Sequence, residues 1–361
     1  MAIFYKLRDI GTLFLVTFFV GLFCCTNSMA MVWRHGGDST VIESTVNDSI
    51  PIEVQLKVDG EDHLIHYYAQ VRTPVCKEGL CYLMEIDLYW DLLGNFLAYD
   101  VPEGSPLTKF DHEPFSPDDH EKMTEILSNK DSFLRFYELD NLVDTTEQKP
   151  SDGVDGTTGA THKSIQSDVV GGAVYSTYVL WHIVNGHLSE KILQHTESFF
   201  DEAILERFLG SSNHHYQYYA LEKMNWENSD EYLPQIVRLI ANGKSYVPYF
   251  AIEKISPDDW KKPEIQENIL KLLGTLNFEM NNELLNRLKG VPFSEDGIEI
   301  FVAKLNTLEE IQLIKALDII NNQEKKLNDD SLKIIASLST HPNQKIVTQS
   351  ENIVHGNTKL P

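Results

Sequence analysis

The sequence predicts an α+β domain followed by an all-helical domain, and three observations lead to this fold class. Between residues 50 and 101, short runs of β-branched and aromatic residues are separated by turn residues, which indicates strands. After residue 186, amphipathic segments follow one another with glycine, proline, asparagine or aspartate between them, which indicates helices. A chain of 361 residues, 42% of them hydrophobic, is long enough to form two cores.

The charge of the chain argues against binding to nucleic acid. The sequence carries 54 acidic and 30 basic residues, which gives a formal net charge of -24. Such a surface repels phosphate backbones, and the sequence contains no basic cluster that would offset the repulsion. We therefore expect no nucleic-acid partner.

The first 30 residues have the pattern of an export signal. Two basic residues precede an apolar run over residues 10–23, which has the length of a signal-peptide core and is short for a membrane-spanning helix. Small residues within 28–30 favour cleavage there, whereas Cys24 or Cys25 would be the lipidated residue of a lipoprotein. An uncleaved N-terminal anchor is the third alternative. All three predict an exported protein, periplasmic or membrane-anchored, in which residues 31–60 form a linker.

Residues 61–186 are assigned to the α+β domain. Strands are expected over residues 64–72 and 81–89, with one or two more within residues 50–58. Residues 82–101 contain two apolar runs with the turn Asp-Leu-Leu-Gly-Asn between them, which predicts a β-hairpin.

Helical elements are also expected in this domain. Ser116, followed by a proline and two aspartates, predicts the start of a helix that runs to about Leu127. Residues 133–139 form a short strand or a short helix. The segment 164–184 is apolar almost all round and predicts one buried helix, although the glycines at 171–172 would weaken it unless another segment packs closely there.

Residues 187–355 are assigned to a helical-repeat domain. Leu233, Ile236, Val237 and Ile240 show the i, i+3, i+4, i+7 spacing of an amphipathic helix. Similar segments of helix length are 230–241, 262–273, 281–289, 308–320 and 330–338. Helix pairs of this length resemble the armadillo and HEAT-like superhelices. The resemblance implies a surface on this domain that docks a protein partner.

Two cysteines remain after the leader, and they predict a disulfide. Cys76 and Cys81 flank the turn Lys-Glu-Gly-Leu, and a bond across that turn is the favoured interpretation in an oxidising compartment. A metal site or a redox dithiol is the weaker alternative, because no second cysteine pair accompanies them. The pair His214 and His215 also lacks a second group of ligands, so no metal site is expected.

The segment 152–161, Asp-Gly-Val-Asp-Gly-Thr-Thr-Gly-Ala-Thr, is the part of the sequence that indicates chemistry. Its glycines allow positive φ angles and a close approach of the backbone to another molecule. We expect it to lead into a helix that begins near His162 or Lys163, whose free N–H groups would favour a phosphate. The alternative is a structural helix cap with Thr161 as the N-cap. The spacing excludes a P-loop, a Rossmann glycine loop and an EF-hand.

Five residues of this segment match every fixed position of the pattern D-x-x-[ST]-G-A-T, namely Asp155, Thr158, Gly159, Ala160 and Thr161. The stretch resembles the flavinylation motif of the FMN-binding domain family, which includes subunits of the sodium-pumping quinone reductase and of Rnf complexes. The resemblance implies that a magnesium-dependent flavin transferase moves FMN from FAD onto Thr161 as a phosphoester. It further implies an electron-transfer flavoprotein with a membrane or periplasmic redox partner.

The groups that contact the flavin are left open by the sequence. Asp155 either positions the loop or a metal in the transferase, or forms an Asx turn. Tyr175, Tyr178 and Trp181 recur every three residues after the motif. They either pack on the isoalloxazine ring or, as we favour, belong to the core.

Two functions therefore follow from the sequence. The first is an exported electron carrier with covalent FMN on Thr161, in which the helical domain docks a partner. The second is a helical-repeat scaffold that holds flavin non-covalently or not at all. A hydrolase is disfavoured, because the sequence has no G-x-S-x-G motif.

Overall fold

The chain forms a small four-stranded antiparallel sheet followed by a mostly helical region. This order confirms the fold class at that level. The computed structural model describes residues 52–58, 64–75, 83–144, 160–224 and 231–357. The expected leader and most of the expected linker lie outside these ranges. Within the ranges, no helix combines the length and the apolar character that crossing a membrane requires.

The sheet is a meander in which each strand pairs with the next along the chain. Its strands, in spatial order, are β1 (Gln55–Val58), β2 (Leu64–Pro74), β3 (Leu83–Trp90) and β4 (Phe96–Asp100). Alternate residues of β3 are buried, because successive side chains of a strand point to opposite faces. The expected hairpin is confirmed, with Asp87 of β3 opposite Asp100 of β4.

Asp91 and Gly94 fix the turn of this hairpin. The Oδ1 atom of the buried Asp91 accepts hydrogen bonds of 2.8 Å from the backbone N–H groups of Leu93 and Asn95. Gly94 has a φ of +72°, a conformation that residues with a side chain rarely adopt. A Cβ atom at Gly94 would lie 2.3 Å from the backbone oxygen of Ser189, so the turn requires glycine.

Helix α1 (Pro117–Ser128) agrees with the sequence prediction because its capping residues are strong signals. The Ser116 hydroxyl accepts a 3.3 Å hydrogen bond from the N–H of Asp119, whose carboxylate accepts a 2.8 Å bond from the N–H of Ser116. After α1, residues Phe133–Phe136 and Leu139–Asn141 form two 3-10 turns. The expected short element after residue 133 is therefore helical.

The single buried helix expected over residues 164–184 is wrong. A 3-10 turn over Lys163–Asp168 is followed by a separate helix, α2 (Val174–Asn185). Between them Gly172 adopts a φ of +79°, and its carbonyl accepts a 2.9 Å hydrogen bond from the N–H of Phe110. This left-handed residue interrupts the helix, and the uniform apolar composition of the segment hides the interruption.

Helices α2 and α3 (His187–Ser198) are joined to the sheet by buried hydrogen bonds. The indole N–H of Trp90 at the end of β3 donates a 3.0 Å bond to the carbonyl of Val184. The hydroxyl of Tyr67 in β2 lies 2.9 Å from the hydroxyl of Thr196 in α3. All four residues are buried, so the sheet and these two helices share one core.

In the described residues after α3, ten helices form two rows. Helices α4, α6, α8, α10 and α12 form one row, in which each contacts the next, and α5, α7, α9, α11 and α13 form the other. One pair follows the previous pair about every 30 residues. The helices are α4 (Glu202–Gly210), α5 (His214–Lys223), α6 (Leu233–Asn242), α7 (Val247–Glu253), α8 (Pro263–Leu270), α9 (Phe278–Leu288), α10 (Glu295–Ala303), α11 (Glu310–Asn321), α12 (Asp329–Ser337) and α13 (Gln344–Asn357).

The five helices expected in this region are confirmed, with small shifts at their ends. Helix α9 begins at Phe278, earlier than expected, because the side chain of Asn277 caps it by accepting a 2.8 Å hydrogen bond from the N–H of Met280. Buried amide side chains also connect consecutive helix pairs. The amide of Gln266 in α8 donates a 2.9 Å hydrogen bond to the carbonyl of Pro292 and accepts a 2.8 Å hydrogen bond from the N–H of Ser294.

Candidate functional site

The flavinylation-like motif enters the described structure at its last two residues. Asp155, Thr158 and Gly159 lie outside the described residues, whereas Ala160 and Thr161 form the short strand β6. Strand β6 pairs antiparallel with β5 (Val143–Asp144), so that Thr161 lies opposite Val143. The backbone at Thr161 is therefore extended and held to a neighbouring segment.

Thr161 is half-buried, and its hydroxyl makes no hydrogen bond to any residue in the described part of the chain. Other threonines of this domain differ. The buried Thr177 donates a 2.8 Å bond to the carbonyl of Ala173, and the buried Thr196 bonds to Tyr67. A hydroxyl that is already bonded to the backbone is less available for chemistry.

The helix that was expected to begin at His162 or Lys163 is absent, and this corrects the expected phosphate environment. A 3-10 turn of 6 residues begins there instead, and the side chain of His162 at its N-cap accepts no capping hydrogen bond from the turn backbone. Thr161 is therefore not the N-cap of a helix. Helix α2 begins only at Val174. A phosphate on Thr161 would therefore not lie at the N-terminus of an α-helix.

The side chains of His162 and Ser164, which follow Thr161, form a polar cluster with the side chain of Tyr137. The Nδ1 atom of His162 is 3.0 Å from the hydroxyl of Tyr137 and 2.7 Å from the hydroxyl of Ser164. The two hydroxyls also form a short hydrogen bond with each other. Hydroxyl and imidazole groups both donate and accept hydrogen bonds, so these three side chains are suited to bind phosphate oxygens.

Helix α2 contacts the segment that carries this cluster through hydrogen bonds. The hydroxyl of Tyr178 donates a 2.9 Å hydrogen bond to the carbonyl of Tyr137. The ring of Tyr178 lies 4.2 Å from the ring of His182, whose Nε2 atom is 3.2 Å from the carbonyl of Leu134. Burial lowers the pKa of His182, and its backbone hydrogen bond opposes this effect only in part. His182 is therefore neutral near pH 7 and serves as a fixed support.

The aromatic residues of α2 can now be assigned. Trp181 is buried, with 3% of its surface exposed, and its indole N–H donates a 2.9 Å bond to the carbonyl of Asn129. The core interpretation is confirmed for Trp181. Tyr175 and Tyr178 are half-buried, and the hydroxyl of Tyr178 is hydrogen-bonded to the carbonyl of Tyr137.

The segment before Tyr137 is held at its other end by Asp168. The carboxylate of Asp168 accepts bonds of 2.6 Å from the hydroxyl of Ser132 and 2.8 Å from the N–H of Phe133. Burial acts to raise the pKa of Asp168, but these hydrogen bonds and one from Ser167 outweigh it and leave the pKa below its ordinary value. Asp168 is thus a carboxylate at neutral pH and fixes the start of the 3-10 turn.

This 3-10 turn exposes two large aromatic side chains. Phe133 is 57% exposed and Phe136 is 68% exposed, and their ring centroids are 6.4 Å apart. The guanidinium of Arg135 lies 4.6 Å from the centroid of the Phe136 ring. These residues and the hydroxyls of Tyr137 and Ser164 are not predicted from the sequence. The run Phe-Leu-Arg-Phe-Tyr, which is unusually aromatic for an exposed segment, is the signal that indicates them.

Among the described residues, no hydrogen bond or ring contact links His214 or His215 to this cluster. Cys76 and Cys81 lie outside the described residues. The rings of His214 and His215 are 4.1 Å apart, and in the ranges that the structure describes no three metal-binding side chains come together. A cavity of about 330 Å³ lies near the start of α2, where Ser176 contributes to its wall, but no described hydrogen bond links it to the cluster.

Comparison with known proteins adds no family to these observations. The chain matches no model of a protein family, and no curated protein is similar to it.

Proposed function

We propose that this protein is an exported electron-transfer flavoprotein in which FMN is bound covalently to Thr161. The observation that carries the proposal is the position of Thr161. It ends a sequence that fits D-x-x-[ST]-G-A-T, and its half-buried hydroxyl has no hydrogen-bond partner in the described residues. In this proposal the sheet with α1 to α3 is an FMN-binding domain, and Asp155, Thr158, Gly159 and Ala160 form the loop that a flavin transferase recognises.

The attachment would convert the phosphoanhydride of FAD into a phosphoester. The Thr161 Oγ1 atom would form a bond to the FMN phosphorus of FAD, the bond between that phosphorus and the bridging oxygen would break, and AMP would leave with that oxygen. The hydroxyl proton passes to a base of the transferase, because a threonine hydroxyl is a weak nucleophile by itself. No oxidation or reduction accompanies the step.

The residues near Thr161 fit the group that would be attached. The hydroxyls of Tyr137 and Ser164 lie within 3.0 Å of the imidazole of His162, the residue that follows Thr161, and all three groups are of the kind that binds phosphate oxygens. The bound flavin would supply the electron transfer, and the chain would supply its position and surroundings. A membrane or periplasmic redox partner would donate or accept the electrons.

Co-expression with a flavin transferase tests the proposal. We expect the denatured wild-type protein to keep its flavin absorbance, because the phosphoester survives unfolding. Thr161→Ala should lose all of this absorbance. Thr157→Ala, which changes the neighbouring x position of the motif, is the matched control and should keep it. Equal absorbance in Thr161→Ala and the control would refute the assignment of the acceptor.

A docking role for the helical region is the second part of the proposal. The two rows of helices support a HEAT-like repeat, in which one face commonly binds a partner. Phe250 on α7, Phe278 on α9 and Ile311 on α11 are 50%, 45% and 62% exposed, and all three lie on the same row. Such exposed apolar residues favour a binding surface. They are also the observation that favours the alternative, a scaffold without covalent flavin.

A photocrosslinking residue separates these two roles. Placed at Phe278, it should give one crosslinked product of defined mass in cells, whereas the same residue at Lys333 on the other row should give none. If the product forms equally with wild-type Thr161 and with Thr161→Ala, docking is independent of flavin and the scaffold function is favoured. No product at Phe278 would contradict a docking role.

A further inference from the structure

Phe133 and Phe136 form an exposed aromatic pair within a segment that is otherwise well anchored. Contiguous exposed apolar side chains mark ligand-binding or partner-binding surfaces in many proteins. The pair is small, because the side chains on either side of it are polar. Asp131, Glu138 and Asp140 are all exposed. The apolar area therefore ends within a few residues of the two rings.

The hydrogen bonds of the segment determine where the pair lies. At one end, Asp168 holds the hydroxyl of Ser132 and the N–H of Phe133. At the other end, the hydroxyl of Tyr137 bonds to His162 and Ser164. Both anchors lie within residues 162–168, which follow Thr161 in the chain. The aromatic pair therefore lies on a turn that packs against the 3-10 turn following Thr161.

We infer that Phe133 and Phe136 are the surface on which the isoalloxazine ring of the Thr161-linked flavin lies. This inference rests on the proposed function, and it names the ring-binding residues, which the motif does not specify. Aromatic rings attract one another in offset or tilted arrangements. A short covalent tether also raises the effective concentration of the ring at a nearby surface to the millimolar range, so a weak contact is enough.

The size of the patch favours a flavin ring over a protein partner. Stable protein interfaces bury about 800 Å² on each side. Two phenylalanine side chains supply about 150 to 250 Å² each at most, and much less when they are only partly covered. An isoalloxazine ring is flat and of similar size to the pair. The surrounding acidic side chains would keep the edges of the ring in contact with water.

The test uses full-length protein that carries flavin on Thr161, confirmed first by mass spectrometry. Phe136→Trp should lower flavin fluorescence several-fold, because an indole beside the ring quenches it. Phe133→Ala combined with Phe136→Ala should increase quenching of the flavin by iodide several-fold, because the ring loses its cover. Tyr246→Trp and Tyr246→Ala are matched controls at the exposed residue before α7, and both should behave as wild type.

The outcomes separate the inference from the proposed function. If the flavin is present but the changes at Phe133 and Phe136 leave both signals unaltered, the inference is wrong and the covalent attachment stands. That result would assign the aromatic pair to a partner protein. If Thr161 carries no flavin, the proposed function and the inference both fail. All of these side chains are exposed, so we expect the variants to fold. Circular dichroism spectra that match the wild type would verify this.

Discussion

The hydroxyl of Tyr178 on α2 donates a 2.9 Å hydrogen bond to the backbone carbonyl of Tyr137. This bond joins a core helix to the segment that carries the polar cluster and the aromatic pair. The fold thus supports the candidate site through a few specific hydrogen bonds in addition to apolar packing. Each of these bonds can be removed separately, which makes the account testable.

Removal of the Tyr178 hydroxyl should loosen this connection. Tyr178→Phe keeps the ring but leaves the Tyr137 carbonyl without its donor, so we expect the free energy of unfolding to fall by about 1 kcal/mol. Urea denaturation measures the change. Tyr175→Phe is the control on the same helix, since the Tyr175 hydroxyl makes no hydrogen bond to another described residue. An equal loss of stability in both variants would contradict the role of the Tyr178 bond.

The stability of the protein should depend on His182 below neutral pH. Burial lowers the pKa of His182 in the folded state, so the unfolded chain binds a proton at a higher pH than the folded chain does. Its contribution is fully present above the unfolded pKa of about 6.5 and is lost as the pH falls toward the lower folded value. We expect His182→Gln to show a weaker decline of stability between pH 7 and pH 5. His187→Gln changes an exposed side chain, and its stability should decline with pH as the wild-type stability does. Urea midpoints across this pH range measure the stability of both variants.

Gly94 should not tolerate a side chain. Gly94→Ala places a methyl group 2.3 Å from the Ser189 carbonyl oxygen at a φ of +72°, so the free energy of unfolding should fall by about 2 kcal/mol or more. Gly210→Ala is the control, because no atom lies within 4 Å of the added methyl group and its φ is ordinary. Thermal unfolding compares the two. A tolerated Gly94→Ala would mean that the hairpin turn does not pack on α3 as described.

Gln266 should contribute strongly to the stability of the helical region. Its buried amide bonds to the carbonyls of Trp260 and Pro292 and to the N–H of Ser294. Gln266→Ala leaves these groups buried without partners, which should cost about 2 to 4 kcal/mol. Asn268→Ala, an exposed change on the same helix, should cost less than about 1 kcal/mol. Similar urea midpoints for the two variants would show that the amide does not join α8 to the next helix pair.

The sequence predicts those elements whose signals are local. The hairpin is an example, because alternation along β3 and the residues Asp91 and Gly94 specify both strands and the turn. Helix α1 is another, because Ser116 and Asp119 form its cap. The helices of the two rows follow from their apolar spacing, and only their ends shift where a cap such as Asn277 is used.

The features that the sequence does not predict depend on contacts between distant residues. The break at Gly172 is hidden in an apolar segment and becomes clear only from its φ angle and its bond to Phe110. The cluster of Tyr137, His162 and Ser164 joins residues about 25 positions apart, and no spacing rule connects them. The motif thus suggests Thr161 as the proposed acceptor, whereas the contacts of its neighbours follow only from the three-dimensional structure.

Mass spectrometry of the peptide that contains Thr161 tests the central claim most directly. The protein is produced with a flavin transferase, digested, and its peptides are fragmented. The account predicts that this peptide carries FMN less one water, with the added mass on Thr161, and that Thr161→Ala abolishes it. An unmodified wild-type peptide, or a flavin on another residue, would contradict the account.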